Sequence, residues 1–254
     1  MRSFLIALQF LTQLPVRFSS YPEAEQIGRS LNYYPLVGLL IGGILAVLAE
    51  LLTIVPPLLG AALLLSAWVW LTGGLHLDGL ADSADAWVGG LGDSDKTLAI
   101  MKDPRSGPAA VVILILILLI KFAALHAIVS TQYWQAMLLA PILGRTVLPL
   151  LFLCTPYVRS QGLGSALTNY KSRYLGLVIA MTLLLLVIMG GLTTLWLIMI
   201  AVLVLVMMRR LMLKRVGGCT GDTAGALVEV TEVAILLTMV ILTHASQNLV
   251  AIGL

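Results

Sequence analysis

The chain has 254 residues, of which 60% are hydrophobic and only 11% are charged, with a net charge of +3 and a mean hydropathy of +1.04. A soluble domain is about half apolar and about a quarter charged, so this composition excludes a water-soluble globule and a disordered chain. Long apolar runs predict a polytopic membrane protein instead. The basic residues are dispersed along the chain, so the sequence pI of about 9.0 does not indicate a nucleic-acid partner.

In chain order, the first stretch (1–18) has an apolar run too short to span a bilayer and predicts an interfacial amphipathic helix, not a signal peptide. Seven later segments are candidate spanning helices, although the second, fifth and sixth are short. They lie at 33–54, 58–74, 108–129, 134–154, 175–190, 192–208 and 224–243. Only Gly190-Gly191 separates the fifth from the sixth, which leaves a helical hairpin or an interfacial half-helix open there. We predict an all-α fold, one integral-membrane domain over 1–254.

The basic residues orient these spans. Thirteen of the fifteen Lys and Arg fall in alternate loops, and cytoplasmic loops carry the excess of Lys and Arg. The N-terminus is therefore expected in the cytoplasm and the C-terminus outside, in a membrane of the bacterial cytoplasmic (inner) type. Insertion bias then accounts for the pI without a polyanionic partner.

Half of the acidic residues fall between positions 78 and 103, in one predicted cytoplasmic loop. Asp78, Asp82 and Asp85 are spaced i, i+4 and i+7, which places them within an arc of roughly 60° on a helix. Oxygen ligands without His or Cys select a hard cation such as Mg²⁺ or Mn²⁺. The alternative is a solvated helix face. His76 adjoins this group either as a contributor or as a polar helix-end residue.

A second polar segment, Ile100–Pro108, directly precedes the third span. Lys102 and Arg105 could bind phosphate, and Asp103 could join a metal site. The alternative is that these residues are topological charges followed by a helix start at Gly107-Pro108.

A third segment, Gly217–Ala226, begins the last span. Its glycines, Thr220 and Asp222 precede a helix N-terminus, where exposed backbone N–H groups favour an anion. The alternative is that Asp222 is an N-cap. The spacing is not that of a Walker A loop.

Charges inside spans are costly and indicate function or pairing. Arg145, between two prolines, either pairs with Glu229 or Glu232 or faces a substrate phosphate. Lys121 either snorkels or pairs with Glu50.

Several of these motifs together resemble the adenosylcobinamide-GDP ribazoletransferases, also called cobalamin-5′-phosphate synthases. The resemblance rests on five segments: Thr72–Asp85 (TGGLHLDGLADSAD), Ile100–Gly107 (IMKDPRSG), Gly217–Ala226 (GGCTGDTAGA), Ala7–Pro15 (ALQFLTQLP) and Tyr34–Gly38 (YPLVG). The resemblance extends over nearly the whole length.

The resemblance implies the last assembly step of the vitamin B12 nucleotide loop. Such an enzyme joins adenosylcobinamide-GDP to α-ribazole or its 5′-phosphate, releases GMP and uses Mg²⁺ at the cytoplasmic face. The expected site is built from loops 73–107 and 209–223. Its candidate metal ligands are Asp78, Asp82, Asp85 and Asp103. Its candidate catalytic residues are Asp82, Asp85 and Asp222. Its candidate substrate-binding residues are His76, Lys102, Arg105, Arg145, Gly218, Thr220, Gly221 and Glu229.

Two alternatives stay open from the sequence. A CDP-alcohol phosphotransferase acting on a lipid alcohol also has spaced aspartates, but its usual pattern has an Arg where this chain has Asp82. A transporter would use the charges within the spans, although no paired inverted repeat is visible. A homo-oligomer is compatible with each of these functions.

Overall fold

The computed structural model describes residues 1–159 and 163–252. Within that part of the chain the protein is all-α, with two short 3₁₀ turns (Leu31–Tyr33 and Leu52–Ile54) and an isolated bridge between Tyr157 and Cys219. The helices are α1 (Arg2–Leu11), α2 (Ala24–Ser30), α3 (Tyr34–Leu51), α4 (Pro57–Thr72), α5 (Leu75–Gly89), α6 (Ser94–Ile100), α7 (Pro108–Thr131), α8 (Gln135–Cys154), α9 (Leu163–Asn169), α10 (Leu175–Val216) and α11 (Gly221–Ile252).

Five stretches of the described chain are long and apolar enough to cross a bilayer, and α4 with α5 would make a sixth. They contain α3, α7, α8, α10 and α11, which coincide with predicted spans. The predicted total of about seven stays a prediction, as do the membrane orientation and the interfacial position of α1. α1 has 10 residues and packs its buried face on α2 and α3.

The 42-residue helix α10 is interrupted at Gly191, whose backbone (φ 57°, ψ −143°) is not helical. Just before the start of α10, Lys171 donates to the carbonyl of Phe152 at 2.8 Å. Near the end of α10, Arg209 donates to the carbonyl of Cys154 at 2.9 Å. A straight helix would hold the two ends of α10 about 50 Å or more apart. Because both ends contact the same end of α8, the chain reverses at Gly191, in agreement with the hairpin alternative.

α5 does not continue α4. The two helices make an angle of 86°, and the residues between them, Gly73 and Gly74, both have positive φ values of 65° and 68°. Glycine adopts this left-handed conformation without the steric cost that a Cβ would bring. The consecutive glycines therefore turn α5 across the end of the bundle, and we treat α5 as lying outside the spanning segments.

The bundle itself is packed through small residues. A Cβ at Gly38 would lie 2.5 Å from the carbonyl oxygen of Pro141, and one at Gly42 would lie 2.7 Å from that of Met137. Small residues spaced four apart let membrane helices approach at backbone distance. These glycines therefore make α3 and α8 the most extensive helix pair of the described chain.

Candidate active site

The site forms where α5 crosses the first turns of α11. A Cβ at Gly79 would lie 2.6 Å from the carbonyl oxygen of Asp222, and a Cβ at Gly225 would lie 3.2 Å from the Cα of His76. Two polar segments that are far apart in the sequence thus meet at backbone contact. The glycines of both motifs are explained by this crossing as well as by any ligand.

A cavity of about 280 Å³ lies beside this crossing, and we call it the acidic chamber. It combines two carboxylates, one guanidinium, a histidine and several aromatic rings. It is lined by Phe10, Tyr34, Leu75, His76, Asp78, Gly79, Leu148, Phe152, Tyr157, Arg159, Gly164, Leu167, Gly221, Asp222, Ala224 and Gly225. The structure therefore brings the predicted residues His76, Asp78, Gly221 and Asp222 together around one space.

Arg159 is the cation of the acidic chamber. Its Nη2 donates to Asp222 Oδ2 at 2.7 Å, and its side chain keeps 26% exposure. Its Nε is buried and has no hydrogen-bond partner within the described chain. A guanidinium that is held by a carboxylate and still has a free donor can bind a phosphate oxygen.

Asp82 lies one helical turn beyond Asp78 on α5 and does not itself line the acidic chamber. Burial raises the pKa of Asp82 to about 6, and the negative charges of Asp78 and Asp222 add to that rise, against an opposing effect of Arg159. The three carboxylates are thus close enough to interact electrostatically. Their repulsion is the strain that a bound cation would relieve.

Asp85, the third of the spaced aspartates, has a structural partner. Its carboxylate accepts hydrogen bonds from the backbone N–H of Gly107 at 2.5 Å and of Ala110 at 2.9 Å. It thus satisfies the free amides at the N-terminus of α7, where a negative charge is stabilising. Asp85 does not line the acidic chamber, and its catalytic and metal-binding roles stay predictions.

The segment before α7 lies apart from the chamber. Arg105 is 87% exposed on its side chain and pairs with Asp103 at 2.7 Å. The hydrogen bonds from Arg105 lower the pKa of Asp103 to about 2. Lys102 is exposed as well. None of the three lines the chamber, although their neighbours Met101 and Gly107 contact the candidates Thr220 and Asp85.

Among the residues that the structure describes, no three His, Cys, Asp or Glu side chains converge as a metal site would require. The four predicted ligands are therefore not preassembled, since Asp85 and Asp103 bond to other groups. The donor chemistry still fits a hard cation, because Asp78, Asp82 and Asp222 offer carboxylate oxygens with Arg159 as their nearby counter-charge.

The loop before α11 is organised by its own hydrogen bonds. Thr220 Oγ1 accepts from the N–H of Thr223 at 3.2 Å, and Thr223 Oγ1 accepts from the N–H of Thr220 at 2.9 Å. This is a reciprocal capping box, so the suggestion that Asp222 is the N-cap is wrong. Thr220 is fully buried, and a Cβ at Gly218 would lie 2.3 Å from the carbonyl oxygen of Pro156. Of the three predicted substrate-binding residues in this loop, Gly221 alone lines the chamber.

The charges inside the spans form one buried ion-pair cluster. Lys121 Nζ lies 3.1 Å from Glu229 Oε2 and 2.5 Å from Glu232 Oε2, and Arg145 pairs with the other oxygen of Glu232. All four side chains are at most 4% exposed. Two cations and two carboxylates balance, as buried charges require. The structure thus favours the pairing alternative for Arg145 and Glu229 over a substrate contact.

His76 connects this cluster to the chamber. Its Nδ1 lies 3.5 Å from Nη2 of Arg145, and the residue also lines the chamber. The proposed pairing of Lys121 with Glu50 is wrong, because Lys121 is buried against α11. Glu50 is exposed at the end of α3.

Sequence reasoning missed several residues of the chamber, among them Arg159, Phe10 and Tyr34. The sequence marks Arg159 only as a topological charge, and Phe10 and Tyr34 only as parts of the family motifs. The rings of Phe10 and Tyr34 stack with centroids 6.4 Å apart. No spacing rule links these residues to the aspartates, since they come from separate elements.

Fold and site together define a helical membrane protein with a carboxylate-rich cavity at one end of its bundle. The chain belongs to the cobalamin-5-phosphate synthase family, whose model matches residues 3–240. No solved structure matches the chain.

Curated relatives carry one shared name, adenosylcobinamide-GDP ribazoletransferase. The relative from Pseudomonas fluorescens (strain ATCC BAA-477) is 56% identical over 93% of this chain and 98% of its own length. The relative from Pseudomonas savastanoi pv. phaseolicola is 53% identical over 95% of this chain and 100% of its own length. The relative from Pseudomonas aeruginosa PAO1 is 55% identical over 94% of this chain and 98% of its own length. The protein is therefore a transferase of cobalamin biosynthesis, in agreement with the resemblance, and the lipid-alcohol and transporter alternatives are set aside.

Proposed function

We propose that this protein joins adenosylcobinamide-GDP to α-ribazole or α-ribazole 5′-phosphate and releases GMP. The observation that carries this proposal is that Asp78 and Asp222, from two separate family motifs, face one cavity together with Arg159. The reaction takes place at the cytoplasmic face of the inner membrane. The support for that side is the excess of Lys and Arg in the loops at this end of the bundle.

In this reaction a ribose hydroxyl attacks the phosphorus that is attached to cobinamide. A new P–O bond forms, the P–O bond to the GMP phosphate breaks, and the hydroxyl proton passes to a carboxylate. Such transfers depend mainly on positioning and on charge neutralisation. The candidate proton acceptors are Asp82 and Asp222, through a carboxylate oxygen that does not bind the metal.

Arg159 takes the phosphate-binding role in this proposal. Its unpartnered Nε donates to a diphosphate oxygen while Nη2 stays bonded to Asp222. Asp222 thereby holds the guanidinium in position at the wall of the chamber. Fixed donors of this kind stabilise the charge that develops on the leaving phosphate.

Mg²⁺ is the proposed cofactor; the carboxylates of Asp78, Asp82 and Asp222, which do not converge on one point in this structure, would hold it together with the substrate phosphates. When bound, such an ion neutralises phosphate charge and stabilises the departing GMP. The carboxylates also keep the attacking hydroxyl within reach of a proton acceptor. Removing one ligand should cost 10-fold or more in activity.

The test is GMP release by purified protein supplied with adenosylcobinamide-GDP, α-ribazole and Mg²⁺. We expect one GMP per cobalamin product, loss of activity with EDTA, and recovery with Mg²⁺. Asp82→Asn should lower turnover at least 10-fold. A folded preparation that releases no GMP with either form of ribazole would refute the function, and full activity in EDTA would refute the metal.

A further inference from the structure

A second cavity of about 280 Å³ adjoins the acidic chamber, and we call it the aromatic chamber. Phe10, Tyr34 and Leu167 line both spaces, so the two chambers share a wall. The remaining lining residues come from α1, α2 and the segment between them: Ile6, Gln9, Tyr21, Pro22, Ile27 and Ser30. None of the candidate metal-binding, catalytic or substrate-binding residues lies along these walls, so the phosphate chemistry does not explain this cavity.

The walls of the aromatic chamber are uncharged and have few free polar groups. None of the described residues that line it is acidic or basic. Gln9 Nε2 donates to the carbonyl of Val16 at 3.1 Å, and Ser30 Oγ donates to the carbonyl of Ile27 at 2.6 Å. The Ser30 hydroxyl proton and one of the two Gln9 amide protons are therefore already used, and apart from the tyrosine hydroxyls the chamber offers mostly aromatic and aliphatic surface.

Size and chemistry restrict the ligand. Whole-ligand pockets start at roughly 300 Å³, so each chamber by itself holds only part of a substrate. A corrin macrocycle is far too large for the aromatic chamber. Guanine carries several donors and acceptors that would lose their water without replacement, which is costly. A flat, largely apolar bicyclic base meets neither objection.

We propose that the aromatic chamber binds the benzimidazole base of the ribazole substrate, while the acidic chamber holds the reacting phosphates. This inference rests on the proposed function and adds the position of the nucleophilic substrate. The shared wall of Phe10 and Tyr34 lies where the ribose would connect the two parts. Base and hydroxyl are then delivered from the α1–α2 side.

Tyr21 is the most informative residue to change. Its side chain borders the aromatic chamber, and the residue is 82% exposed, so its removal leaves the core intact. Stacking of an aromatic side chain on a base is worth enough for about a fivefold or greater change in affinity. We expect Tyr21→Ala to raise the KM for α-ribazole at least fivefold and to leave the KM for adenosylcobinamide-GDP within about twofold.

A second variant, Ile27→Phe, adds volume inside the chamber and should raise the same KM. The matched control is Trp70→Ala, which removes an aromatic ring that is 74% exposed on α4 and lines neither chamber. It should change neither KM. Calorimetry with 5,6-dimethylbenzimidazole alone gives a readout without turnover, and the base should bind wild type more tightly than Tyr21→Ala.

The outcomes separate this inference from the proposed function. Active wild-type protein whose KM for α-ribazole is unchanged in both variants would overturn the aromatic chamber and leave the function standing. A rise confined to the KM for adenosylcobinamide-GDP, or equal calorimetric binding of 5,6-dimethylbenzimidazole by wild type and Tyr21→Ala, would overturn it too. Absence of GMP release from wild type would instead refute the function.

Discussion

The close crossing of α5 and α11 predicts a graded response to added methyl groups. A Cβ at Gly79 would lie 2.6 Å from the carbonyl oxygen of Asp222, whereas ordinary contact starts at 3.4 Å. Gly79→Ala must therefore separate the two backbones by about 0.8 Å. Gly225→Ala brings a Cβ to 3.2 Å from His76 and needs a far smaller adjustment. At Gly43, in the middle of α3, a Cβ meets nothing within 4 Å.

The expected magnitudes follow from these distances. A displacement near 1 Å between reacting groups can cost about 10²-fold in rate, so Gly79→Ala should lower kcat/KM by about that factor. Its effect on stability should be small, because overpacking costs about 1–3 kcal/mol and alanine regains up to about 1 kcal/mol of helix propensity. Gly225→Ala should fall between Gly79→Ala and the control Gly43→Ala, which should keep full activity.

The assay is GMP release under saturating Mg²⁺, with a thermal unfolding midpoint measured on the same detergent-solubilised samples. Activity should fall steeply in the order Gly43→Ala, Gly225→Ala, Gly79→Ala while the unfolding midpoints stay within a few degrees. Wild-type activity in a folded Gly79→Ala variant would refute the argument that the crossing sets the position of Asp222. Equal losses in all three variants would refute it as well.

Three further predictions concern single side chains. Lys121→Met should destabilise the protein by about 3–5 kcal/mol in denaturant unfolding, because a buried carboxylate loses its partner. Adding Glu229→Gln should recover part of the lost stability, and no recovery would contradict the pairing of Lys121 with Glu229. Asp85→Asn should cost about 1–2 kcal/mol in the same measurement through the weakened cap of α7, and an unchanged midpoint would argue against that cap. Arg159→Ala should lower kcat/KM at least 10-fold with Arg159→Lys intermediate, since lysine keeps the charge but loses the forked geometry; wild-type activity of Arg159→Lys would contradict the need for that geometry.

The sequence was sufficient to predict the membrane-spanning helices because the thickness of the bilayer sets their length. Uninterrupted apolar runs as long as α7 and α8 are typical of membrane-spanning helices, and the structure begins both helices within one residue of the predicted positions. The bend after α4 was not predicted, although the signal was present in Gly73-Gly74. Two consecutive glycines permit positive φ, but the sequence does not say that the chain uses it.

The sequence predicted which residues belong to the site better than it predicted which residues from other helices they contact. The periodicity of Asp85 indicates a shared helix face with Asp78, yet its carboxylate bonds to amides 22 and 25 positions away. Helical spacing describes neighbours within one helix and contains no information about the helix that packs against it. For the same reason the sequence leaves Arg145 with two alternative roles, and only the packing of α8 beside α11 shows that it pairs with Glu232.

The charges of this chain are divided between the acidic chamber and the ion-pair cluster, and this division explains how few charged residues can serve both stability and activity. α5 is fixed at three points: His76 lies against Arg145, Gly79 rests on the backbone of Asp222, and Asp85 binds the start of α7. Each contact uses a different interaction, and together they add to the apolar burial of Leu77 and Leu80 on the same helix. Charges in the cluster stabilise the helices, whereas charges in the chamber are left free to act on a substrate. Substitutions in the cluster should therefore lower stability before activity, and substitutions in the chamber should do the reverse.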